Sequence, residues 1–191
     1  MTIIHAPIKK RIKQFIPPIL TNKIIYFRNY FNFLKYKDLL LNNIKLKNIH
    51  KGERCFILGS GPSINDEDLK PLKNEIVFAL NNFYVHPDFN EIVSGNSDKY
   101  YMTAPIHPPQ TETEWKEWFS DMENNIPNNV ILISGISNQI NTVKSILDHN
   151  NLFVNHQKYW YYAGININDY YIYKPADIDI TRMTWIADTA S

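Results

Sequence analysis

From residue 54 onward, short apolar runs alternate with polar stretches whose large side chains recur at helical spacing. Residues 55–58 (Cys-Phe-Ile-Leu), 76–80 (Ile-Val-Phe-Ala-Leu), 91–94 (Glu-Ile-Val-Ser) and 130–133 (Val-Ile-Leu-Ile) read as strands, with a weaker one at 152–154. Continuous apolar runs of this length, bounded by glycine or polar residues, suit strands covered on both faces. Between them the pattern predicts a short helical segment over 66–72 and a helix over 112–124, with Trp115, Trp118, Phe119 and Met122 on one face. A further helix is predicted over 137–147. Strands alternating with helices predict an α/β fold, a Rossmann-like parallel sheet with helices on both faces. Residues 158–175, rich in Tyr and Asn without a period, read as a loop over the sheet.

The first 50 residues follow another pattern. Ile8, Ile12, Phe15 and Ile16 share one helical face among Lys9, Lys10, Arg11 and Lys13, until Pro17 and Pro18 stop the turn. A second helix starts near Thr21 or Asn22 and runs through Ile25, Tyr26, Tyr30, Phe33 and Leu34 towards Leu41. Residues 1–50 therefore read as a basic amphipathic helical extension, and 51–191 as the α/β domain. The last residues, from Met183, read as the opening of a helix with no stop signal, so the chain is expected to be the front part of a longer one.

Charge sharpens this division. The net charge of +1 hides an excess of Lys and Arg before residue 54 and of acidic residues after it. Such an arm suits an anionic membrane surface, engaged through residues 1–20, and it equally suits packing on its own domain or on a second subunit. No apolar run of bilayer length and no secretory leader pattern is present, so a cytoplasmic protein, peripheral on the inner membrane face, is expected. The single cysteine, Cys55, forms no internal disulfide and is expected to be buried. The basic arm matches no nucleic-acid-binding module, so no nucleic-acid partner is expected.

The candidate chemistry lies where predicted strands end. Gly59, Ser60, Gly61, Pro62 and Ser63 follow the first strand. Glycines there allow positive φ and close backbone approach to phosphate, and the two serines add donors. Ile64 occupies the place of a third glycine, and Pro62 removes an amide, so ordinary NAD binding is disfavoured; the Walker pattern also fails. The same composition serves a plain strand-to-helix turn. Asn81 and Asn82 end the second predicted strand, and Asn96 and Ser97 the third, which would gather all of them around one crevice at the carboxyl edge of the sheet. Asparagine both donates and accepts, which suits sugar hydroxyls and base edges, although it also punctuates strands for purely structural reasons. Asp98 is a candidate base or metal carboxylate, or else a helix cap.

The stretch from Gly52 to Ser63, with Leu69, Leu72 and residues 79–84, resembles the MptE-like family and more distantly the bacterial sialyltransferases of glycosyltransferase family 42. The match covers roughly residues 51–101, with a weaker echo at 180–191. The second resemblance implies a CMP-sugar donor, with Gly59, Gly61, Ser63 and Asn81 at the nucleotide and Asn96 near the donor. Ser60 departs from the asparagine frequent in that loop, and the catalytic tyrosines and histidine of that family lie beyond the stretch corresponding to Met183 onward. The expected function is thus a glycosyltransferase acting in surface polysaccharide assembly in its full-length form, with a nucleotide-sugar donor and a glycan acceptor. The first resemblance implies instead a pterin diphosphokinase using ATP and Mg²⁺, with acidic ligands such as Asp98. A noncatalytic membrane-associated nucleotide-binding module, or an inactive fragment, is the third alternative. No resident cofactor is expected, and His86, His107, His149 and His156 show no metal-ligand spacing. His156, Tyr161 and Asp98 are the fallback catalytic candidates. Trp160, Tyr161 and Tyr162 are read as buried anchors or as a stacking platform.

Overall fold

The computed structural model describes residues 18–106, 109–137 and 142–163. The chain divides into two compact units, Met1–Lys37 and Asp38–Ser191. The first contains helix α1, Pro18–Lys35, which opens on a proline at a position where no amide donor is needed. The basic segment 8–16 and the helix expected from Met183 lie outside the described residues.

The second unit is a five-stranded sheet in the order β1-β2-β3-β4-β5, with every neighbouring pair parallel. Its strands are β1 Cys55–Leu58, β2 Ile76–Leu80, β3 Lys99–Thr103, β4 Ile131–Ser137 and β5 Lys158–Ala163. The helices are α2 Lys37–Leu41, α3 Phe89–Val93, α4 Glu112–Asn125 and α5 Val143–His149. This is an α/β Rossmann-like sheet. Each crossover steps one strand onward in the same direction, and right-handed connections of that kind return on one face. Accordingly the ring of Phe89 in α3 packs edge-on against Tyr101, and Lys144 of α5 lies over Trp160 on that same face. The other face holds the core cluster of Ile76, Tyr100, Met102, Ile133, Tyr159 and Tyr161, with Leu46 against it.

Leu46 belongs to a 3₁₀ turn, Asn42–Leu46, which places the unit boundary earlier than the sequence pattern does. Asn43 Nδ2 donates to Trp160 O at 2.7 Å and His50 Nε2 lies 2.7 Å from Tyr100 Oη, so residues 42–50 belong to the sheet unit. Their basic character suggested the arm; their packing assigns them to the core.

Four expected segments differ. Residues 91–93 are helical and Ser94 caps them, because Phe89, Ile92 and Val93 bury together at i, i+3, i+4 spacing. The true third strand begins at Lys99, a buried charge whose Nζ donates to Lys73 O at 2.9 Å and to Glu75 O at 2.6 Å. Residues 152–154 form a turn, with Asn151 and Phe153 at φ of 53° and 54°, and the fifth strand comes from the aromatic run 158–163 that was expected to be a loop. The segment expected as helix 66–72 is split into 3₁₀ turns at Pro62–Asp66 and Lys70–Asn74, each with a proline in its first two positions. The helix expected over 112–124 is present as α4, closed at its start by a reciprocal Thr111–Glu114 capping box that holds the Glu114 carboxyl below its ordinary range. Cys55 is exposed rather than buried.

Candidate functional site

At the carboxyl ends of β1 and β2 the chain leaves the sheet through two adjacent turns. Leu58 pairs with Ala79, so the loop from Gly59 to Ser63 rises beside Asn81. Gly61 has φ −67° and ψ 149°, and among the described glycines only Gly52 has positive φ. The two loop glycines are therefore not required by backbone conformation. Nor are they required by packing, since a Cβ placed on Gly59 or Gly61 would meet no atom within 4 Å. Their missing side chains leave the backbone open to solvent, and the exposed Ser60, Pro62 and Ser63 border the opening.

The turn at Asn81 is held firmly. Asn81 sits in the left-handed region at φ 53°, which asparagine tolerates better than most residues. Its carbonyl accepts from Tyr101 Oη at 2.5 Å, and the same Oη accepts from the Tyr84 amide at 3.0 Å. Burial pushes the Tyr101 phenol well above its ordinary pKa, so it stays protonated and keeps donating. Asn82 Oδ1 accepts from Trp118 Nε1 at 2.7 Å, which ties α4 to this edge. The Asn81 side chain stands exposed.

His86 anchors the end of the loop. It is buried, its Nδ1 accepts from the Asp88 amide at 3.1 Å, and its Nε2 therefore carries the proton and donates to Ile64 O at 3.3 Å. Asp88 in turn accepts from the Leu69 amide at 3.2 Å. These contacts draw the turn after Gly61 towards the β2 exit. In the sequence His86 shows no metal-ligand spacing and Tyr101 carries no signal of its own; the contacts that define their roles here, to Ile64, Asn81 and Tyr84, span 17 to 22 residues.

Asn96 and Ser97 do not join this edge. They precede β3 rather than follow a strand, which puts them at the amino edge of the sheet, opposite the loop. Ser97 Oγ donates to Asn74 O at 2.5 Å, just ahead of β2, and Asn96 is exposed there. Asp98 lies at the same edge, 3.4 Å from His50 Nε2 and hydrogen-bonded by Tyr100 Oη at 3.4 Å. The crevice assembled from the sequence thus keeps Gly59, Ser60, Gly61, Pro62, Ser63, Asn81 and Asn82, and loses Asn96, Ser97 and Asp98. No cluster of three metal-ligating side chains is found among the described residues.

At the carboxyl end of β3 the groups are occupied structurally. Thr103 Oγ1 donates to Ser134 Oγ at 3.0 Å, Thr103 O accepts from Tyr161 Oη, and Pro105 closes over Gly135. Trp160, Tyr161 and Tyr162 are buried in β5 as anchors, and the buried His156 donates through Nε2 to Ile126 O at 3.1 Å. Trp115 and Trp118 are only half-buried, while Phe119 and Met122 fill the core. The strand order does not reverse within the described sheet, so this opening lies at the β1–β2 margin and not at a switch point between described strands.

Compared with known protein families, with characterised proteins and with solved structures, the chain shows no match. None of the described helices is long and apolar enough to cross a membrane.

Proposed function

We propose that the β1 and β2 exits bind the nucleotide of an activated sugar, and that the protein serves sugar transfer in surface glycan assembly. The carrying observation is the pair Gly59 and Gly61, whose absent side chains answer no need of conformation or packing. An exposed loop with its backbone uncovered, bordered by Ser60, Ser63 and Asn81, offers neutral donors to a phosphate and to ribose or base groups without adding a negative charge. A CMP-linked acidic sugar is the favoured donor. In that reaction the bond from the anomeric carbon to the phosphate oxygen breaks with its electron pair on the phosphate. The acceptor hydroxyl oxygen forms the new bond to the anomeric carbon and releases its proton to solvent. Donors at the loop stabilise the departing phosphate as its charge grows.

The test is thermal denaturation of the whole chain with CMP, a CMP-sugar, or ATP with and without Mg²⁺, since a ligand that binds only the folded state raises Tm. The expected result is a rise with CMP compounds that Gly61→Val removes. A rise with Mg²⁺–ATP alone would replace this reading by the diphosphokinase one. CMP binding without CMP release from any CMP-sugar would leave a binding module.

A further inference from the structure

Helix α1 carries a narrow apolar seam. Leu20, Ile24, Phe27, Phe31 and Leu34 follow one another at spacings of four, three, four and three, and each is 40 to 65% exposed. At 100° per residue these five positions fall within an arc of about 80°, along a helix roughly 27 Å long. Lys23 and Lys35, both exposed, lie at the two margins of that arc. Such a seam loses free energy in water, and its occupant must accept both the apolar stripe and the cations beside it.

The charges select among occupants. All 19 acidic residues of the chain lie after residue 37, so the arm carries Lys and Arg without one carboxylate. A second copy of α1 would bring cation against cation, with no Glu or Asp at the seam margins to pair across the interface. An anionic bilayer meets both demands: the stripe enters the headgroup and acyl boundary, while Lys23 and Lys35 extend to lipid phosphates. We propose that α1 is an in-plane docking helix for an anionic lipid surface, seated through Leu20, Ile24, Phe27, Phe31 and Leu34. The acidic residues of the sheet unit are repelled by the same surface, which favours contact through the arm. This inference is independent of the nucleotide reading and extends the contact from residues 1–20 to the length of α1.

The experiment is sedimentation of the full chain with phosphatidylcholine vesicles, with and without one third phosphatidylglycerol. Wild type is expected to bind the anionic vesicles and to be released by high salt. Ile24→Ser with Phe31→Ser leaves the charge unchanged and is expected to weaken that binding roughly thirtyfold, with Tm and mass unchanged. Lys23→Gln with Lys35→Gln is expected to weaken it about tenfold, on anionic vesicles only. Vesicle binding by the serine variant equal to wild type would overturn the proposal. So would a fall in its Tm, which would mean the seam packs on the protein itself, or a change from dimer to monomer, which would mean it packs on a second copy.

Discussion

The two edges of the sheet use similar residues to opposite ends. At the amino edge, polar groups are bound within the protein: Lys99 donates to Lys73 O and Glu75 O, Ser97 to Asn74 O and His156 to Ile126 O, and Arg54 pairs with Glu75. Gly95 there is a packing necessity, since a Cβ would lie 1.6 Å from Lys73 O. At the carboxyl edge, beyond β1 and β2, glycines face open space and serine and asparagine side chains are exposed. Hidden beneath them, Tyr101 and His86 hold the turns in place. The difference separates residues that make the fold from residues that the fold presents.

Substitutions should separate the edges in that order of size. Gly95→Ala forces the backbone of Lys73 aside and is expected to cost about 3 kcal/mol, lowering Tm by roughly 6–12 °C in a chain of this length. By contrast Gly61→Val should leave Tm within about 2 °C while reducing CMP affinity at least about tenfold, because the added branch occupies the open approach to the loop. Equal Tm losses for the two variants would erase the contrast.

Removing the Tyr101 hydroxyl leaves Asn81 O without that donor and the Tyr84 amide without that acceptor. Tyr101→Phe is therefore expected to cost about 2 kcal/mol in chemical denaturation and to weaken CMP binding through the displaced Asn81 turn. At Asn81 the two effects come apart. Asn81→Ala should lose about 1 kcal/mol from its left-handed backbone, whereas Asn81→Gly should keep full stability, and both should weaken nucleotide binding. Full affinity in the glycine variant would remove Asn81 from the site.

The smallest expected effect is a pH slope at the amino edge. Burial lowers the pKa of His156 below its ordinary value, so on acidification the unfolded chain takes up a proton at this position before the folded one does. Its contribution is complete above the ordinary histidine pKa and falls as pH drops towards the lower folded value. Denaturant titrations from neutral to mildly acid pH should show wild type losing stability that His156→Gln retains, and parallel slopes would refute the assignment.

The parallel α/β class, β1, β2, the core of β4, the body of helix α4 and the loop at 59–63 were legible in the sequence. These depend on local signals: apolar runs, large side chains at helical spacing, and glycines beside a strand. It also placed Asn81 correctly, because Asn81 directly follows a strand whose limits were legible. That residues 91–93 are helical and that β3 begins at Lys99 follows from packing between distant segments. A short segment with two apolar residues is compatible with either state, and a lysine reads as surface until two carbonyls are brought to its ammonium. That choice moved Asn96, Ser97 and Asp98 to the opposite edge. The roles of Tyr101 and His86 were likewise decided by contacts between distant segments, which no local pattern encodes. The reason Gly59 and Gly61 are glycines became visible only once the empty space beside them was known.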